Sequence, residues 1–139
     1  MPFLKICGKI QSESISTCIA VKTDVSSYKD VKRLLKTSLD TFGTIDILVN
    51  CAGICPIASL EEIGEKEWDM VMDINLKSTY LCSREAIAIM KEKKSGKIIN
   101  ISSVAGRMGG IATSVNYATS KGGIITLTMS LAKMGYPLT

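Results

Sequence analysis

The sequence predicts an α/β fold, a parallel sheet with flanking helices, and three observations predict it. Short apolar runs alternate with segments of helical period along the chain, the order that right-handed crossovers between parallel strands produce. Each apolar run exits into polar or small residues, first Asp24, then residues 50–53, then Ser102 and Ser103. Functional groups in such sheets collect at the carboxyl ends of the strands. The composition, 46% hydrophobic and 22% charged over 139 residues, suits one globular domain with a real core.

Taken in order, residues 3–13 place Leu4, Cys7 and Ile10 at three-to-four spacing and predict the tail of a helix. It opens without a capping residue, which suggests that something once preceded it. Residues 18–22 (CIAVK) suit a buried strand with Asp24 at its exit. Ser26 or Ser27 then caps a helix over residues 28–42, with Val31, Leu34, Leu35, Leu39 and Phe42 on its apolar face and Gly43 as its stop. Residues 45–50 (IDILVN) read as a second buried strand, followed by Cys51, Ala52 and Gly53. A connecting loop over residues 56–63 leaves room for a short helical turn. From Glu65 a helical pattern runs to about Lys93, too long for one average helix. Asn75 is where it should break, because asparagine competes for backbone hydrogen bonds. Ile98, Ile99 and Ile101 mark the third strand; a glycine-rich loop and a final helix from Ser114 towards Met134 complete the pattern.

The chemistry concentrates around that last strand and helix. Tyr117 and Lys121 stand four residues apart, so both side chains share a helical face, beside a hydroxyl at a strand end. With no histidine in the chain, a phenol is the natural proton donor if a cation makes it more acidic. A lysine about 4 Å away at an effective dielectric of about 20 contributes roughly 4 kcal/mol, or about three pKa units, as an upper figure. Spacing alone is weak: roughly 0.4 such Tyr–Lys pairs are expected by chance. Tyr28 and Lys32 form a second one, which reads as solvated helix surface.

Other classes are disfavoured. A net charge of +4 and 5% aromatic residues give no dedicated nucleic-acid surface. Lys91, Lys93, Lys94 and Lys97 cluster at a helix end, where cations favour the dipole. The five cysteines show no metal-type spacing, which points to no metal site and to reduced thiols in a cytoplasmic protein. No apolar run is long enough to span a bilayer.

On these residues the chain resembles the classical short-chain dehydrogenases/reductases, Rossmann-type enzymes that move hydride between NAD or NADP and a carbonyl or alcohol substrate. Asp24-Val25 resembles the family's adenine-contacting pair. Asn50-Cys51-Ala52-Gly53 matches its Asn-Asn-Ala-Gly motif with cysteine in a variable slot. Asn75 sits where the family keeps a helix-breaking asparagine, and Ser103, Tyr117 and Lys121 match its catalytic set. Among members the chain is most similar to bacterial 3-oxoacyl-acyl-carrier-protein reductases and related sugar or polyol dehydrogenases. The resemblance implies that Tyr117 exchanges a proton with the carbonyl oxygen and that Ser103 polarises that oxygen. It implies that Lys121 acidifies Tyr117 and binds the nicotinamide ribose, and that Asn75 holds a water linking Lys121 to solvent. Asp24, Val25, Asn50, Ala52 and Gly53 would join Tyr117 and Lys121 in binding the cofactor, and the helices over residues 77–93 and 115–134 would form a homo-oligomer interface.

The resemblance covers the central segment of that fold, a single incomplete Rossmann-type domain over residues 1–139, truncated at both ends. The family's first strand and its glycine-rich phosphate loop have no match; Gly106, Gly109 and Gly110 follow the wrong strand. Residues 135–139 (GYPLT) do not recreate the family's following loop. A missing first strand would open a gap between residues 18–22 and residues 45–50. The adjacent glycines Gly122 and Gly123, costly inside a helix, imply close approach of a ligand or another helix. Two readings stay open: an oxidoreductase segment, or a non-catalytic truncated remnant that folds or oligomerises without cofactor.

Overall fold

The structure, a computed structural model, describes residues 2–13, 16–110 and 113–134. Its elements are α1 (Pro2–Glu13), α2 (Tyr28–Phe42), β1 (Ile47–Asn50), α3 (Glu65–Met72), a π turn (Asp73–Lys77), α4 (Ser78–Glu92), β2 (Lys97–Asn100), α5 (Ala105–Met108) and α6 (Val115–Lys133). The architecture is a partial Rossmann-like α/β fold. β1 and β2 run parallel, with Leu48 opposite Ile98 and Asn50 opposite Asn100, joined by the long α3–α4 crossover.

Local chemistry sets the helix limits. Ser27 takes an extended backbone and its hydroxyl accepts the Asp30 N–H at 3.4 Å, while Gly43 closes α2 at a φ of +75° with its N–H on the Leu39 carbonyl at 2.8 Å. That φ belongs to glycine, and it turns the chain into β1. The crossover is one helical run interrupted at Asn75 by a π turn, in which the Ser78 N–H reaches back five residues to the Asp73 carbonyl. Carbonyls that the wider turn displaces take hydroxyl donors instead: Ser78 Oγ on Ile74 at 2.5 Å and Thr79 Oγ1 on Asn75 at 2.9 Å. The expected break is therefore a bulge inside a continuous helix, because neighbouring side chains satisfy what the ladder loses.

The core lies on one face of the sheet. Leu35 of α2, Ile45, and Ala86 and Met90 of α4 pack with Leu48 and Ile98; Val31, Leu81 and Cys82 continue this layer. Lys93 ties the end of α4 to the approach of β1 through Asp46 and through Thr44 Oγ1 at 3.0 Å. Both strands were expected to be buried throughout. Instead Ile47, Val49 and Ile99 on the opposite face are 58%, 53% and 47% exposed, because the described helices cover only one side.

The strand expected over residues 18–22 is corrected as well. These residues take no regular secondary structure and join no sheet, and the only ladder among the described residues is β1 with β2. A strand exists by pairing, and no described segment stands beside this one to complete it. Asp24 accordingly follows no strand. The pattern at residues 3–13 does form a helix; the Leu4 side chain and residues 135–139 lie outside the described residues.

Candidate active site

Four pieces converge at the carboxyl ends of β1 and β2: the loop after β1, the π turn, the segment from Ile101 to α5, and the first turns of α6. Lys121 is their centre. It is 5% exposed, its Nζ donates to the Ile101 carbonyl at 2.9 Å, and it stands 5.8 Å from the centroid of the Tyr117 ring. A β-carbon on Gly53 would lie 3.6 Å from the same nitrogen, so the loop backbone passes directly over the ammonium. Burial holds the Lys121 pKa below the usual lysine value; the Cys51 and Cys55 thiols, where ionised, pull the other way.

Asn75 fastens this arrangement. Its side-chain oxygen accepts the Ile54 N–H at 2.8 Å, and its amide nitrogen donates to the Ile54 carbonyl at 2.9 Å and to Ser120 Oγ at 3.0 Å. One buried side chain thus pairs both main-chain groups of a loop residue and joins that loop to α6. The π turn explains how it reaches: widening the helix turns Asn75 towards the loop while Val71 and Leu81 stay in the core.

The two serines after β2 divide their work. Ser102 Oγ donates to the Lys121 carbonyl at 2.7 Å, which commits its proton. Ser103 Oγ accepts the Ala105 N–H at 3.2 Å, a role that leaves its own proton available. α5 lies within the segment expected to be a glycine-rich loop, and it rests on α6 through glycines. A β-carbon on Gly106 would meet the Lys121 carbonyl carbon at 2.6 Å, and one on Gly122 the Gly106 oxygen at 3.0 Å. Gly123 faces Leu76 of the π turn, where a β-carbon would stand 2.6 Å from its Cδ2. The glycine pair therefore admits close approach by other segments of the chain.

The remaining residues named from sequence are scattered. Asn50 is half-buried and donates to Ser83 Oγ at 3.1 Å and to Asn100 Oδ1 at 2.8 Å, tying the ends of the strands together. Ala52 and Gly53 are exposed on the loop over Lys121. Asp24 is a turn residue: its carboxylate accepts from the Ser26 N–H at 3.0 Å and Ser26 Oγ at 2.7 Å, bonds that hold its pKa below the usual value. Among the described residues no hydrogen bond or ion pair joins Asp24 or Val25 to the Asn75–Lys121 cluster.

Sequence reasoning missed Ser120, fully buried between Asn75 and the Tyr117 carbonyl, which its hydroxyl reaches at 2.7 Å. It also missed Ser114, which donates to the Pro56 carbonyl at 2.9 Å and so anchors the far end of the loop. Small polar residues on the apolar side of a helix were the available signal.

The sequence matches the short chain dehydrogenase family over residues 2–137, nearly its whole length. The chain belongs to the short-chain dehydrogenase family. It is 43% identical over 115 residues to a 3-oxoacyl-acyl-carrier-protein reductase of Synechocystis sp., covering 83% of this chain and 46% of that protein. To the Staphylococcus aureus protein of the same description it is 40% identical over 128 residues, covering 92% and 51%. An uncharacterized oxidoreductase of Thermotoga maritima is 42% identical over 104 residues, covering 75% and 41%. The chain thus spans about half the length of these curated relatives. No helix among the described residues is long and apolar enough to cross a membrane.

Short-chain dehydrogenases imply a nicotinamide cofactor, and the residues fit one end of it. The exposed backbone of Ala52 and Gly53 and the Lys121 cation beneath it form a shelf at the strand ends that suits a ribose and its ring. The pyrophosphate end finds no counterpart among the described residues: Gly106 is consumed by packing on α6, and α5 has only four residues.

Proposed function

We propose that this chain supplies the proton-transfer centre of an NAD- or NADP-linked oxidoreductase that interconverts a carbonyl and an alcohol, within a single incomplete Rossmann-type domain over residues 1–139. The observation that carries the reading is the buried Lys121 ammonium, held by the Ile101 carbonyl beside the Tyr117 ring under the Gly53 loop. In this reading Tyr117 gives its proton to the carbonyl oxygen, and Ser103 donates a second hydrogen bond to the same oxygen. Lys121 stabilises the negative charge left on the phenol and takes the hydroxyls of a ribose. Asn75 acts as a positioning residue, keeping the loop at the height where Ala52 and Gly53 meet a cofactor. A bound nicotinamide supplies or accepts the hydride. The relatives' names make a 3-oxoacyl thioester the first substrate class to try.

Titration with NADH and NADPH, followed by nicotinamide fluorescence, tests this. Saturable binding that Lys121→Ala weakens supports it, and a flat response from both removes it. In a form that turns over, Tyr117→Phe should lower the rate by at least about a hundredfold with cofactor binding retained. Unchanged turnover would unseat the phenol.

A second reading is a non-catalytic remnant that associates without cofactor. The apolar face of Ile47, Val49 and Ile99 favours it, as do the exposed Tyr80 of α4 and Met129 of α6. A homo-oligomer formed through the helices over residues 77–93 and 115–134, together with a flat nicotinamide response, supports this second reading.

A further inference from the structure

Two thiols that the proposed reaction does not use meet between α1 and the segment that leads into α2. Cys7 belongs to α1 and Cys18 opens residues 18–22; both are free and half-buried. The Cys7 thiol hydrogen-bonds the Cys18 side chain, and that bond, with partial burial behind it, raises the Cys7 pKa above the ordinary value. Cys18 Sγ donates in turn to the Ile19 carbonyl at 3.9 Å, which leaves its lone pairs for the Cys7 proton.

A second contact, independent of the thiols, brings the same two elements together. Gln11 stands one helical turn beyond Cys7 on the same face of α1. Its Nε2 donates to the Cys18 carbonyl at 2.9 Å. The far end of the segment is fixed as well, because Arg33 Nη2 of α2 donates to the Lys22 carbonyl at 2.7 Å. The two sulfurs therefore meet across a stretch of chain anchored at both ends.

We propose that Cys7 and Cys18 are a redox pair that closes as an intramolecular disulfide under a small disulfide such as oxidised glutathione, stapling α1 to the segment before α2. One of the two, as thiolate, attacks a glutathione sulfur, and the sulfur–sulfur bond of glutathione breaks to release the first glutathione thiolate. The other sulfur, as thiolate, then attacks the mixed disulfide and releases the second. The two protons lost by the cysteines end on the two glutathione thiolates, so the pair is oxidised and glutathione is reduced in equal measure. Thiols already in hydrogen-bonding contact close such a bond with little movement of the backbone, which must hold the two Cα atoms within about 7 Å. The other cysteines serve as internal controls: Cys51 and Cys55 are exposed, and Cys82 is buried with its pKa pushed up by that burial. The site is independent of whether the chain binds a nicotinamide.

The test equilibrates the intact chain with reduced and oxidised glutathione at fixed pH, blocks free thiols with N-ethylmaleimide and maps the peptides by mass without reduction. A linked Cys7–Cys18 peptide should form within the monomer, at least about tenfold more abundant than one joining either residue to any other cysteine. Its yield should fall about tenfold in urea, where the contact is lost. Oxidation should also raise the urea midpoint of the wild type and leave that of Cys18→Ser unmoved. Single glutathiones on Cys7 and Cys18, a linkage found only between chains, or an equal yield in urea would each overturn the proposal. So would an oxidised wild type whose midpoint does not rise.

Discussion

At the scale of single residues, burial separates two pairs that spacing makes equivalent. Lys32 stands 5.5 Å from the Tyr28 ring and Lys121 stands 5.8 Å from the Tyr117 ring, the same arrangement one helical turn apart. Only Lys121 is closed off from water, by Ile101, Gly53 and Asn75. Its burial sets a dependence on pH with a definite sign. The unfolded chain keeps the lysine proton up to its ordinary value of 10.5, whereas the folded chain releases it earlier. Between those two points the unfolded state binds more protons, so stability rises with pH through the interval; below it the buried charge counts fully against the fold. Denaturant midpoints should show this rise in the wild type and lose it in Lys121→Met, a difference that cancels every other titrating group. A second expectation concerns Asn75. Asn75→Ala leaves the Ile54 N–H and carbonyl without their partner and should cost about 2 kcal/mol in urea unfolding. Loss of stability without faster exchange of the Ile54 amide would contradict the clasp. The approach of Lys121 to the Tyr117 ring was legible because four-residue spacing on a helix is local. Ser120 was not, since its partner lies 45 residues away in sequence.

At the scale of elements, legibility follows the range of the interactions that make each one. α2 could be read to its limits because Ser27 and Gly43 act within a turn of it. Ser27→Ala should therefore cost about 1 kcal/mol in thermal or urea unfolding, with the helix retained at low denaturant. The apolar run at residues 18–22 looked the same on paper as residues 45–50, yet only the second pairs, because a ladder depends on a neighbour that local sequence does not reveal. Asp24, read as a strand-end residue, consequently became a turn residue leading into α2. The break at Asn75 was visible, but its form was not, since the hydroxyls that rescue the turn act through geometry. α5 escaped notice for a related reason: four residues have no period. Its seat depends on Gly106, where a β-carbon would strike the α6 backbone at 2.6–2.8 Å. Gly106→Ala should cost about 2 kcal/mol, measured by urea unfolding. A neutral result would mean that α5 does not rest on α6.

At the scale of the whole molecule, the sheet has a covered face and a bare one. Ile47, Val49 and Ile99 present apolar surface that the described helices do not reach. A hydrophobic dye should light up on the folded chain, and Val49→Thr with Ile99→Thr should dim it while the helical signal holds; undiminished emission would place the dye elsewhere. The π turn has a consequence of its own for the whole crossover. A residue of helix is worth about 100° of rotation, so shortening Asp73–Lys77 by one would leave an uninterrupted rod whose two halves had been swivelled against each other. Either Val71 or Met90 would then be swung out of the interior. Evolutionary insertions and deletions should be tolerated in the connection before Glu65 and forbidden within those five positions.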